Sequence, residues 1–120
     1  MPFRETLKGL VESVDGGLGA VIMGYDGIAI DQFLVDDAGM DLHLMAVEYA
    51  TVIKEVKRTV EVLGTGDMEE VTVNTGRTRI LVRTINDDLF LLLTLHHDGN
   101  CGKGRYLLRR ATPLLRDSLS

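Results

Sequence analysis

The stretch Leu89-Phe90-Leu91-Leu92-Leu93-Thr94-Leu95 carries no charge at any of its seven positions. A strand shows alternate side chains to opposite faces. A run that is apolar on both faces therefore belongs in the middle of a sheet with helices on each side. Asn86-Asp87-Asp88 before the run and His96-His97-Asp98 after it hold it to strand length. Leu18 to Met23 is a second run of the same kind. Two such strands commit the chain to a sheet with helices on both faces.

The rest of the pattern fits around them: helix, two strands, long helix, three strands, helix. The first helix is expected over Phe3 to Val14, with Leu7, Leu10, Val11 and Val14 at helical spacing and Gly16-Gly17 ending it. Gly9 sits inside it, at a helix cost of ~1 kcal/mol. A close approach of helix to sheet would account for it. Strand 2 is Ile28 to Leu34, joined to strand 1 through Gly24-Tyr25-Asp26-Gly27, a hairpin signal because Asp-Gly tolerates positive φ. Strand 3 is Glu70 to Thr75, strand 4 is Arg77 to Ile85, and strand 5 is Leu89 to His96. With strands 1 and 5 central, the simplest spatial order is 2-1-5-4-3. Strand 3 is then an edge. It is the most polar strand, and it carries neither the proline nor the lysine that commonly blocks an edge.

The long helix, Asp41 to Leu63, is the most informative element. At 100° per residue, Leu42, Met45, Tyr49, Val52, Ile53, Val56, Val60 and Leu63 form one stripe, with Ala46 and Ala50 along its border. The arc covers roughly 160°, wider than the ~100° a helix needs to rest on a sheet. The small Ala46 and Ala50, four residues apart, would let another backbone come close. The excess width points to a second partner for the helix beyond its own sheet.

Chemical motifs are sparse. His96, His97, Asp98 and Cys101 cluster in sequence, with His43 elsewhere. Adjacent strand residues diverge, so His96 and His97 are not expected to share an ion, and no metal site is assigned. Gly99-Asn100-Cys101-Gly102-Lys103-Gly104 lacks the spacing of a phosphate loop, and Gly104 stands where Ser or Thr would hold magnesium. Its Gly99, Asn100 and Gly102 read as a turn before the last helix. The pairs Asp36-Asp37, Asp87-Asp88 and Glu69-Glu70 read as solvated turns and strand ends. Arg109 and Arg110 read as a solvated face of the final helix, whose apolar side is Tyr106, Leu107, Leu108, Ala111, Leu114 and Leu115. No catalytic residue, cofactor site or nucleophile emerges.

The charge balance agrees with a protein-binding role. Thirteen basic and eighteen acidic residues give a net −5, which argues against nucleic acid and against a polybasic membrane site. No apolar run approaches the ~20 residues of a membrane span. The start, Met1-Pro2-Phe3-Arg4-Glu5, is too charged for a secretory leader. One cysteine, Cys101, forms no internal disulfide, which fits a reducing cytoplasm. The 120 residues suit one domain, 1–120, large enough to bury a core unaided.

The segment from Leu10-Val11-Glu12-Ser13-Val14 through Gly19-Ala20-Val21-Ile22-Met23-Gly24-Tyr25-Asp26-Gly27-Ile28-Ala29-Ile30 resembles the opening of the Roadblock/LC7 family. Gly104-Arg105-Tyr106-Leu107-Leu108-Arg109-Arg110-Ala111 is similar to its closing helix. The long middle helix and the three-strand meander fit in order, so the resemblance covers nearly the whole chain. It implies a profilin-like α/β/α sandwich, a homodimer built from strand 3 and the long helix, and binding to Ras-like small GTPases. Prokaryotic MglB-like members act with GTPases of the MglA type, as activators. Other members are dynein light chains or scaffold subunits. The expectation is a non-enzymatic, cytoplasmic, homodimeric regulator or adaptor of such a GTPase. Its interface would be Ala46, Ala50, Ile53 and Lys57 on the helix, with Val71, Thr72, Val73 and Asn74 on the edge strand. The alternative is a small-ligand sensor or scaffold, because profilin-like sandwiches also host ligands.

Overall fold

The structure is a computed structural model that describes residues 3–119. Met1 and Pro2, read above as part of a charged N-terminus, lie outside those residues. The elements run α1 (Phe3–Glu12), β1 (Gly17–Gly24), β2 (Ala29–Leu34), α2 (Leu42–Leu63), β3 (Glu70–Asn74), β4 (Thr78–Thr84), β5 (Leu89–His96) and α3 (Cys101–Leu119). The five strands form one antiparallel sheet in the order β2-β1-β5-β4-β3. The two strands apolar on both faces are the two central ones, as their composition requires.

Each face of the sheet has its own core. On one side α1 and α3 cover Ala20, Ile22, Leu81, Leu91, Leu93 and Leu95 with Leu7, Val11, Leu108 and Leu115. On the other, α2 alone covers Val21, Met23, Ile80, Val82, Phe90 and Leu92. Fully burying such a side chain is worth about 1.5–3 kcal/mol, so the middle three strands anchor the molecule. Helix α2 is closed at both ends. The Asp41 carboxylate accepts from the Leu44 N–H at 3.0 Å, and Gly64, at φ +66°, donates to the Val60 and Glu61 carbonyls.

Two glycines reverse the sequence expectation. Gly9 faces solvent with nothing within 4 Å of where a Cβ would stand, so no close approach explains it. Gly102, expected in a turn, lies inside α3, as does Gly104, where an added Cβ would come within 2.9 Å of Leu81 Cδ1 and 3.3 Å of Leu93 Cδ2. Helix α3 starts earlier than the glycines suggest because the Asn100 side chain accepts from the Lys103 N–H at 3.0 Å and caps it. Urea denaturation should find Gly9→Ala more stable than wild type by about 0.5–1 kcal/mol. Gly104→Ala is expected at or below wild type, since crowding of about 1–3 kcal/mol opposes the same helix-propensity gain.

Candidate functional site

Two strands bound the sheet, and their outer edges differ. In β2 the ladder alternation, set by the Val35 N–H bonding the Leu18 carbonyl, turns the backbone of Gln32 outward. Both of its groups are satisfied within the chain. Its N–H donates to the Asp31 carboxylate at 2.9 Å, and its carbonyl accepts from Arg4 Nη1 at 3.1 Å. Arg4 is held there over the Phe33 ring, 5.5 Å from its centroid.

In β3 the bonds from the Thr75 N–H to the Thr78 carbonyl and from the Thr84 N–H to the Glu69 carbonyl fix the opposite phase. Val71 and Val73 pair with β4, and the backbones of Glu70, Thr72 and Asn74 point outward. Thr72 and Asn74 are exposed, while Val71 and Val73 are half-buried on the α2 side of the sheet. The absence of blocking residues on this strand was legible in the sequence. The occupation of Gln32 on β2 was not, because it depends on a side chain 28 residues away.

Helix α2 is rotated relative to the sequence expectation. Ala46, Ala50 and Ile53, expected along a seam, are 0%, 2% and 0% exposed against the chain's own sheet. The alanines let the helix settle close onto β1. Lys57 is half-buried, 5.6 Å from the Tyr25 ring centroid, with Glu61 at 3.7 Å. Beside this buried row runs the flank Met45, Tyr49, Val52 and Val56, spaced four, three and four residues apart, of which Met45, Tyr49 and Val56 are half-buried against the chain's own core and Val52 is exposed. Val52 is 52% exposed, and Leu63 beyond it 66%. Met45, Tyr49 and Val56 pack in the same core as Val71 and Val73 of β3, and Met45 lines a cleft of about 750 Å³ with the β3–β4 turn and with Leu18, His96 and His97. Of the expected site residues, Val71, Thr72, Val73 and Asn74 therefore stand together at an open edge. The helix residues beside them are different ones from those expected.

Glu70 is a further correction. Instead of standing in a solvated pair, its carboxylate faces Arg105 Nε at 2.6 Å, Arg83 Nη1 at 3.3 Å and Arg109 Nη2 at 3.9 Å. The hydrogen bond from Arg105 holds its pKa below the usual value of 4.5. Attraction to Arg105, Arg109 and Arg83 adds to this, and partial burial opposes it. A lowered folded pKa gives stability that is present above the unfolded value and is lost as pH falls through the folded one. In urea melts, Glu70→Gln should cost about 1–2 kcal/mol at pH 7. The difference from wild type should vanish as pH drops from the ordinary glutamate range, near 4.5, through the lowered value.

His97 lies past the end of β5, in a turn, so the two adjacent histidines do not diverge as expected. Their rings stack with centroids 4.3 Å apart, and both Nδ1 atoms approach Asp98, at 3.8 Å from His96 and 2.9 Å from His97. The three ligand atoms lie within 4.8 Å of one another on an exposed turn. Cys101 and His43 stand apart from them. A second cleft, about 450 Å³, gathers Lys57, Glu61, Asp67, Glu69, Asp87 and Arg116 at the end of α2. These residues come from several elements, so no local motif announces them. Among the described residues no helix is long and apolar enough to cross a membrane.

A five-stranded antiparallel sheet ordered 2-1-5-4-3, with one long helix on one face and two helices on the other, defines the Roadblock/LC7 fold. The chain belongs to the Roadblock/LC7 family. It is 42% identical to MglC from Myxococcus xanthus over 98% of this chain and 99% of that one, with a TM-score of 0.73. A Roadblock/LC7 domain from Streptomyces avermitilis matches in fold at 20% identity, covering 97% and 96% of the two chains, TM-score 0.84. The gliding protein MglB from Thermus thermophilus does so at 18% identity, covering 94% and 84%, TM-score 0.82. No protein-family model matches the sequence, and no curated protein does.

Proposed function

We propose that the chain is a non-catalytic, cytoplasmic homodimer that regulates or localises a Ras-like small GTPase of the MglA type. The observation that carries this reading is an open β3 edge beside an apolar α2 flank that the chain's own sheet covers only in part. A two-fold axis through Thr72 would set Thr72 against Thr72 and Glu70 against Asn74 across the seam. Their outward backbones would then exchange up to six hydrogen bonds. Val71 and Val73 would meet on the α2 side, and the two α2 flanks would close over them. The paired helices form the surface offered to the GTPase. The fold relative MglB, described as a gliding protein and also known in a tetrameric arrangement, supports a regulatory, self-associating role.

The experiment is anisotropy with a purified MglA-type GTPase loaded with GDP or with a non-hydrolysable GTP analogue, followed by phosphate release. Saturable micromolar binding of at least one state is expected. No binding of either state at about 100 μM would remove the GTPase from the reading. Faster phosphate release would make the chain an activator, and an unchanged rate would make it an adaptor.

A further inference from the structure

Helix α3 carries five of the chain's thirteen basic residues and one of its eighteen acidic ones, Asp117. The helix is therefore +4 and the remainder of the chain −9. The excess is local in space as well. Glu70 is the one ion-pair partner of Arg83, Arg105 and Arg109 among the described residues, so three guanidiniums meet a single carboxylate at the corner of β3 and α3. Arg105 and Arg109 keep about half of their side-chain surface in solvent. On the outer side of the helix, Tyr106 is 53% exposed, and the Arg110 guanidinium lies 5.7 Å from its ring centroid. Leu114, 70% exposed, follows one turn beyond Arg110. Tyr106 and Leu114, two turns apart with Arg110 between them, set two exposed apolar side chains within a basic field.

We propose that the solvent face of α3 docks an acidic segment of a partner protein. Lys103, Arg105, Arg109 and Arg110 would pair with its carboxylates, and Tyr106 with Leu114 would take its apolar side chains. This surface lies across the sheet from α2, so it goes beyond the dimer and GTPase reading. Charge complementarity selects the occupant. The helix is about 28 Å long at ~1.5 Å per residue, the span of a short peptide segment. A duplex or a lipid surface extends past it and brings its anions against the −9 remainder, within reach of repulsion at a Debye length of about 8 Å. Tyr106 and Leu114 also match apolar side chains, which a phosphate backbone lacks.

The test uses a fluorescein-labelled helical peptide of about 18 residues built from Glu and Leu, titrated by anisotropy in about 50 mM NaCl. Saturable binding to wild type is expected, weakening about tenfold or more for the double variant Arg109→Glu, Arg110→Glu. The double variant Lys54→Glu, Arg58→Glu makes the same charge change on exposed positions of α2 and should stay within about twofold of wild type. Both variants should keep the wild-type mass by light scattering. Any of four results would overturn the proposal: no saturable binding, equal weakening in both double variants, a changed oligomeric state in the α3 variant, or tighter binding to an oligonucleotide or to phosphatidylserine vesicles than to the peptide.

Discussion

Thr72→Pro is expected to turn the proposed dimer into a folded monomer. The Thr72 N–H points away from β4, so proline removes no bond of the β3–β4 ladder. Proline is tolerated at such outward positions of edge strands. Across a two-fold axis at Thr72, however, each subunit would lose a central donor, and the two rings would hold the strands apart. The dimer should weaken roughly 100-fold or more, about 3 kcal/mol. Light scattering at micromolar concentration should report a species near 13.2 kDa, with circular dichroism like that of wild type. A Thr72→Pro protein that dimerises as tightly as wild type would show that the seam lies elsewhere.

A second comparison separates the two sides of α2. Ala50 is 2% exposed beneath the helix, so Ala50→Arg forces a long cation into the core between α2 and the sheet. The cost is more than about 3 kcal/mol, and the variant should unfold or aggregate rather than give a soluble monomer. Val52 is 52% exposed on the flank. Val52→Arg should leave the monomer within about 0.5 kcal/mol of wild type, yet place two cations against each other where the helices meet. The expected pattern is loss of cooperative melting in the first variant, and loss of dimer with an intact melt in the second. A Val52→Arg protein with wild-type dimer affinity would take the flank out of the contact.

The strand order was readable because burial on both faces leaves few places in a sheet for Leu18–Met23 and Leu89–Leu95. The rotation of α2 was not. Periodicity reports how wide an apolar arc is, and the bulky residues Met45, Tyr49, Val52 and Val56 drew attention to the middle of that arc. A helix settling onto β1 instead uses the small Ala46 and Ala50 beneath it and leaves the bulky residues on the flank. Other misses have local causes. The period-two rule for side-chain direction stops applying at His97, where the strand has ended. Asn100 three residues before Lys103 is a capping signal that the neighbouring glycines obscured. Glu70 becomes legible once the register sets it opposite Arg83 and the fold brings α3 alongside, 35 residues later in sequence.

The occupation of Gln32 on the β2 edge by Arg4 and Asp31 bears on how subunits can join. A sheet with two sticky margins can add copies head to tail without limit, because every addition presents a fresh margin. Here the middle of one margin, at Gln32, is already occupied by the protein's own guanidinium and carboxylate. Copies that meet through β3 use up the other margin in both partners at once. Strand addition at β2 would first have to displace the Arg4 and Asp31 bonds to Gln32, so a single arginine on the first helix works against fibre growth.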